Sequence, residues 1–367
     1  MALARRGFGR KQVRAGALVA VALVLWACGS SVSSPTPAPT ATQQPTPTGT
    51  PTPSPSATSS VLGATATPSA SPSVLFSLPP GQPGPAYIPT PGAPGPGDGV
   101  TVTIAAAGDI ACDPAHNTGQ PQDCDQAATA NLLGELHPTA VLTMGDNQYE
   151  DNTYAAYQEV FAPTWGKYKS IIFPTIGNHE YLTPKAAGYF KYFGFPAYYS
   201  YDLGSWHIIS LDSECHFVGG CGKGSPQERW LLADLAAHPS LCTMVTWHEP
   251  RWSSGEHQDA TQMNTIWADL VAANVDVVLT GHNHDYERFA ALDASGNPNP
   301  NGTVEFVVGT GGKNHYGFAE APLVGELVRN DSSFGVISMR LGPTGYSWRF
   351  VDAPGYHFSD SGSASCH

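Results

Sequence analysis

Five short segments of this 367-residue chain place hard oxygen or nitrogen donors directly after an apolar run. Residues 104–107 lead into Gly108-Asp109, 141–144 into Gly145-Asp146-Asn147-Gln148-Tyr149, and 171–176 into Gly177-Asn178-His179-Glu180. Val245-Thr246-Trp247 runs into His248, and 277–280 into Gly281-His282-Asn283-His284. Carboxylates, a phenol, a carboxamide oxygen and imidazoles are donors for hard or borderline metal ions. No cysteine pair has the Cys-x-x-Cys spacing of a zinc–thiolate site. Taken singly, each segment reads as readily as a helix cap, a turn or a satisfied polar side chain. Taken together, five donor-bearing strand ends describe a metal centre.

Those donors need elements to carry them. Apolar runs at 100–106, 140–144, 170–175, 206–211, 243–247, 275–280 and 304–308 predict buried strands, and 335–341 and 346–351 predict two closing strands. Helical periodicity marks 125–136, 226–237 and 261–273, with Pro226 suited to a first helical turn. Alternating strands and helices with a β-rich end predict a layered α/β fold. In open α/β sheets ligands bind beyond the carboxyl ends of the strands, so all five motifs belong to one rim. The aromatics of 151–169 and 181–199 (Tyr154, Tyr157, Trp165, Tyr168, Tyr189, Phe190, Tyr192 and Phe193) read either as a base- or sugar-stacking wall or as packing.

Composition separates the chain into three parts. Basic residues at 5, 6, 10, 11 and 14 precede an apolar run at 15–27, too short to span a bilayer but fitting a signal-peptide core. Leu25-Trp26-Ala27-Cys28 resembles a bacterial lipobox, and Arg5-Arg6-Gly7-Phe8 a twin-arginine signal, with ordinary cleavage and ordinary export the alternatives. Residues 29–98 form a Pro/Thr/Ser-rich stretch, holding eighteen prolines between Ser30 and Gly97, that lacks the apolar surface to offset its ordering entropy and reads as a disordered linker. The folded domain is 99–367. From Ala15 onward twelve basic residues face thirty acidic ones, without the clustered Lys and Arg a nucleic-acid binder needs. Seven cysteines less Cys28 leave six, compatible with disulfides outside the cytosol. Spacing favours Cys112–Cys124 and Cys215–Cys221, which leaves Cys242–Cys366.

Asp109, Gly145-Asp146-x-x-Tyr149, Gly177-Asn178-His179-Glu180, Val245-x-x-His248 and Gly281-His282-x-His284 stand in the order of the calcineurin-like metallophosphoesterases, which the chain resembles over roughly 100–351. More narrowly it resembles the purple acid phosphatases. The first motif is Asp109-Ile110-Ala111, with no His after the Asp, and Tyr149 stands where that family has its extra ligand. Ala111 departs from the family's usual Gly, and the β-domain of its larger members has no counterpart here.

The resemblance implies a four-layer αββα sandwich of two mixed sheets flanked by helices, with the metal site at the carboxyl ends of the strands. It implies two metal ions sharing Asp146. Asp109, Tyr149 and His284 complete the first site, a hard anionic set that favours Fe(III). Asn178, His248 and His282 complete the second, suited to Zn, Mn or Fe(II). His179 and His257 are the implied catalytic residues, contacting the phosphoryl or leaving group. The expected function is an exported, lipid-anchored phosphomonoesterase in which a metal-activated hydroxide attacks a small phosphate ester. The alternatives are a phosphodiesterase or nucleotide hydrolase on the same fold, or a surface binding protein with a retired site.

Overall fold

The computed structural model describes residues 84–88, 99–115 and 123–367, among which fourteen strands form two mixed sheets. The six-stranded sheet runs, in spatial order, β14 (Ser361–Ser365), β13 (Gly345–Asp352), β12 (Gly335–Gly342), β2 (Val102–Ala107), β3 (Ala140–Met144) and β4 (Ile172–Thr175). The eight-stranded sheet runs β1 (Ala86–Tyr87), β5 (Tyr199–Leu203), β6 (Trp206–Ser210), β7 (Cys242–Thr246), β8 (Val277–Thr280), β10 (Thr303–Val308), β9 (Tyr286–Leu292) and β11 (Glu326–Asn330). The helices are α1 (Gln126–Leu136), α2 (Tyr154–Ala156), α3 (Ala187–Phe193), α4 (Pro226–Ala237) and α5 (Asn264–Ala272).

The continuous apolar runs follow from burial of both sheet faces. Ile208, Met244 and Leu279 join Ile104, Leu142 and Ile337 of the other sheet in the core between the sheets. Their neighbours Ile209, Val245 and Val278 turn the other way, onto Leu231 of α4 and Ile266, Trp267 and Leu270 of α5. Helix α1 lies against β12 on the outside of the six-stranded sheet. The result is the expected αββα sandwich. Helix α4 starts as its sequence demands, with Pro226 in the first turn and the Ser225 hydroxyl accepting from Glu228 N at 3.3 Å.

The two sheets meet where their parallel strands end. β2, β3 and β4 are parallel neighbours in one sheet, as are β6, β7 and β8 in the other. Thr175 Oγ1 on β4 reaches Thr246 Oγ1 on β7 and Ser210 Oγ on β6, each at 2.9 Å, and so bridges the sandwich just below the rim.

Several features depart from the sequence reading. β5, β9, β11 and β14 were not anticipated, because their polar residues break strand patterning. In β9, Glu287 is fully buried and accepts from Ser254 N at 2.8 Å, while Arg288 pairs with Asp360 at 2.7 Å. The aromatics of 151–169 and 181–199 are packing: Tyr157, Trp165 and Tyr189 are fully buried, and Tyr157 stacks on Tyr192 with centroids 4.7 Å apart.

Residues 84–88 fall inside the stretch read as a disordered linker, yet they hold an edge strand. β1 pairs in parallel with β5, the Ile88 N–H donates to the Ser200 carbonyl at 2.8 Å, and Tyr87 stacks on His238 at 4.6 Å. Ala86-Tyr87-Ile88 is a short proline-free apolar run in that stretch, so it can add main-chain hydrogen bonds to an open edge. The signal peptide and lipobox readings lie outside the described residues. Cystines join Cys112 to Cys124, Cys215 to Cys221 and Cys242 to Cys366.

Candidate metal centre

Each donor stands two to five residues past a strand, and the backbone there is bent to aim it. Asp109, Asp146 and His282 have φ of 58°, 45° and 68°, a left-handed conformation that few non-glycine residues adopt. Glycine before the donors lets these loops close on one another. A Cβ on Gly177 would collide with Asp146 Oδ1, and one on Gly281 with Asp109 Oδ2. Main-chain N–H groups fix the two carboxylates: His179 N donates to Asp146 Oδ1 at 3.0 Å, and His282 N to Asp109 Oδ2 at 2.8 Å.

The side chains gather into two adjoining nests. In the first, the Tyr149 hydroxyl lies 2.8 Å from Asp109 Oδ1 and 2.9 Å from His284 Nε2. In the second, His248 Nε2 lies 2.9 Å from Asn178 Oδ1, 3.2 Å from His282 Nδ1 and 3.4 Å from Asp146 Oδ1. Ligand atoms of Asp109, Asp146 and His248 all fall within 4.8 Å of one another, so the nests share a wall at Asp146. All seven sequence-predicted ligands are therefore in one place, and all are buried or half-buried.

The donor set fits metal ions. His248 Nδ1 meets the Met144 carbonyl at 2.7 Å and His284 Nδ1 the Asn314 carbonyl at 2.6 Å. Each carbonyl can only accept, so each Nδ1 carries a proton, and in the neutral imidazole each Nε2 turns a lone pair into the nest. Around His248 Nε2 that leaves an amide oxygen and a carboxylate converging as acceptors, with His282 Nδ1 beside them, an arrangement that a cation satisfies.

A proton can supply that cation: burial lowers the His248 imidazole, but Asp146 and then Asp109 outweigh it and raise it well above its ordinary range, and a bound metal ion would take the proton's place. Burial raises the Asp146 carboxyl, but the facing His248, with His179 and His282, outweighs it and holds the group below the usual carboxylate range. Burial and then His248 push His282 well below an ordinary imidazole. Burial, then Asp109 and Asp146, raise the Tyr149 phenol well above its usual value, so a phenolate there requires a strong Lewis acid beside it.

His179 flanks this centre, its ring 4.5 Å from that of Tyr149 and its Nε2 3.8 Å from Asp146 Oδ2. His257 is solvent-exposed on a neighbouring loop, its ring 4.6 Å from that of His282 and its N–H bonded to Asn283 Oδ1 at 2.8 Å. Sequence reasoning missed two supporting residues. Glu180 is fully buried and accepts from Asp146 N (3.0 Å), Asn147 N (2.9 Å), Gly177 N (2.6 Å), Asn152 Nδ2 (2.8 Å) and the Tyr157 hydroxyl (3.1 Å). It ties the second and third motif loops together, and its place right after Asn178-His179 was a usable signal. Tyr316 stacks on His284 at 4.0 Å, and nothing in its local sequence announces that contact.

Comparisons with known proteins place this geometry. Purple acid phosphatase 1 of Ipomoea batatas is 29% identical over 225 residues, covering 53% of this chain and 44% of that protein. Phosphoenolpyruvate phosphatase of Allium cepa is 29% identical over 253 residues, covering 53% and 51%. The chain thus spans about half the length of these curated relatives. Among solved structures, purple acid phosphatase PPD1 from yellow lupin superposes with a TM-score of 0.62 at 18% identity, over 74% of this chain and 55% of that one, which shows a shared fold. The sequence profile described as calcineurin-like phosphoesterase matches residues 102–286, from the strand before Asp109 to just past His284. With half of its length inside that profile, the chain belongs to the calcineurin-like phosphoesterase family, and the purple acid phosphatases are among the proteins it is similar to.

Proposed function

We propose that this chain is an exported phosphomonoesterase working through two metal ions that share Asp146. Asp109, Tyr149 and His284 complete one site, and Asn178, His248 and His282 the other. The observation that carries this is the crowd of acceptor atoms around His248 Nε2, beside a phenol held between Asp109 and His284. The first set, two carboxylates and a phenolate, suits Fe(III); the second suits Zn, Mn or Fe(II). When bound, such a pair would supply Lewis acidity to a phosphoryl oxygen and would lower the pKa of an attacking water.

The chain's own residues do the rest. His179, beside Asp146 and Tyr149, orients the phosphoryl group. His257, on the solvent side of His282, donates a proton to the departing alkoxide. Three cystines and the leader-like N-terminus support export, with anchoring through a lipidated Cys28. The experiment is elemental analysis of the purified chain together with turnover of p-nitrophenyl phosphate and bis(p-nitrophenyl) phosphate. Two metals per chain and at least tenfold preference for the monoester are expected, with both metals depleted and turnover abolished in Asp146→Asn. Preference for the diester would make the chain a phosphodiesterase, and two metals without either activity would end the enzymatic reading.

A further inference from the structure

Four of the six arginines among the described residues are bound within the fold. Arg229 donates to the Gly224 carbonyl, Arg251 pairs with Asp259 at 3.3 Å, Arg288 with Asp360 at 2.7 Å, and Arg329 lies 3.8 Å from Glu326. Arg340 and Arg349 have neither a hydrogen bond nor an ion pair there, in a chain with thirty acidic residues against seventeen basic ones. They are not scattered. Strand register sets Arg340 between Thr103 and Ser347, and Arg349 between Ser338 and Ser361. Ile337, Met339 and Leu341 of the same strand face the core, so Ser338 and Arg340 face outward.

The outer face of the six-stranded sheet therefore carries two guanidiniums in adjacent rows among hydroxyls. Neighbouring strands lie about 4.8 Å apart and diagonal positions about 7–8 Å, a spacing that lets two arginine forks converge. A cavity of about 340 Å³ opens there, lined by Thr103, Ser338, Arg340, Ser347 and Arg349 and walled by Leu136 at the end of α1. A second, of about 370 Å³, shares Arg340 and Ser347 and continues past Thr101, Thr344 and Ser365. No carboxylate lines either. Thr103 lies near the start of β2, whose far end leads to Asp109, so this face is separate from the rim that carries the metal ligands.

We propose that this face binds phosphate-type oxyanions, held between the Arg340 and Arg349 guanidiniums with the Ser and Thr hydroxyls as additional donors. Guanidinium forks match phosphate oxygens two at a time, and hydroxyls can donate to whichever oxygens remain. Two forks suit one or two phosphates rather than a nucleic-acid backbone. The phosphate could be free or carried along a linear anionic polymer, and the two sources are separable.

The test is calorimetric titration of the full chain carrying Asp146→Asn, so that nothing is consumed, with inorganic phosphate and with linear polyphosphate. Adding Arg340→Gln and Arg349→Gln should weaken binding at least tenfold without changing the melting temperature, since both side chains are exposed. The Lys/Lys pair should recover part of the affinity, because it restores charge but not the fork. Arginine-dependent binding of inorganic phosphate assigns a single-oxyanion site; arginine-dependent binding of polyphosphate alone assigns a polymer. Binding of neither would overturn the proposal. So would an equal loss in a Lys167→Gln, Lys223→Gln control, which alters exposed charge elsewhere on the surface.

Discussion

At the scale of single residues, Tyr149 decides the narrow family assignment and Glu180 decides whether the loops hold their geometry. If Tyr149 is a phenolate ligand of Fe(III), the protein is coloured, and Tyr149→Phe bleaches the visible charge-transfer band while leaving near-native stability. The other ligands of that site remain, so turnover should fall less than in Asp146→Asn; absorption spectra of the two proteins at equal iron content check this. An iron-loaded wild type without colour would make Tyr149 a packing residue. Glu180 offers a different reading. Six donors converge on its buried carboxylate, three of them main-chain N–H groups from the second and third motif loops. Glu180→Gln turns an acceptor into a donor among donors, so a destabilisation on the order of 2–4 kcal/mol is expected in urea titrations, with lower metal occupancy. Unchanged metal content would show that the loops keep their shape without it. The seven ligands were legible in sequence because donor chemistry and strand ends are both local. Glu180 and Tyr316 were not, because apart from Gly177 N the partners of Glu180 are 23–34 residues away, and His284 is 32 residues from Tyr316.

At the scale of elements, the strands that read as uniformly apolar were the legible ones, since burial on both faces leaves a signature that needs no knowledge of partners. β5 shows what was not legible, and its pairing with the anticipated β6 shows why. Asp202 and His207 are cross-strand partners near the sheet edge, and His207 donates from Nδ1 to Asp202 Oδ1 at 2.8 Å and from Nε2 to Asp234 Oδ2 on α4 at 2.9 Å. Ser200 adds a hydroxyl to Asp234 at 2.7 Å, and His238 stacks on His207 at 5.0 Å. Polar residues at these positions blur a strand pattern, yet in the fold they satisfy one another. Burial alone would lower the His207 pKa; the two carboxylates override it and push it up to about 9. Folding therefore takes up a proton, so the stabilisation is complete below about pH 6.5 and disappears as pH rises through 9. Unfolding free energies measured at pH 6, 8 and 10 should fall by on the order of 2 kcal/mol more in wild type than in His207→Gln. Parallel pH profiles for the two proteins would mean that His207 is neutral in the native state. The Cys215–Cys221 loop makes a second prediction at this scale. Gln227 Nε2 bonds the Asp212 carbonyl at 2.8 Å and Asp212 N bonds Gln227 Oε1 at 2.9 Å, anchoring the strand end independently of the cystine. Replacing both cysteines by alanine should cost on the order of 2–3 kcal/mol while metal content holds; loss of metal would tie the loop to the centre.

At the scale of the whole molecule, the boundary between tether and domain is not where composition puts it. Proline, threonine and serine dominate up to Gly97, and a reading based on average composition cannot see that three consecutive residues find a sheet edge. Tyr87 contributes the contact that makes the edge specific: its ring stacks on His238 with planes 11° apart, and its hydroxyl donates to Asp202 Oδ2 at 2.9 Å. The same Asp202 accepts from His207, so the docked segment and the buried histidine share one carboxylate. A protease of broad specificity acting on the native full chain should cut freely in the stretch before residue 84, whose small, polar and proline-rich composition has no apolar core to bury. It should stop at a fragment that still contains β1. Tyr87→Ala removes the ring and the hydroxyl but leaves the backbone able to pair, so the edge strand should open often enough for trimming to proceed toward residue 99. Because Tyr87 is 40% exposed, the stability cost should stay near 1 kcal/mol, a fall of about 2 °C in melting temperature, with metal content and turnover unchanged. N-terminal sequencing of the limit fragments separates the outcomes. A wild-type fragment already trimmed to 99 would mean that β1 pairs too weakly to protect the chain, and an identical fragment from Tyr87→Ala would mean that the main-chain bonds to β5 suffice without the ring.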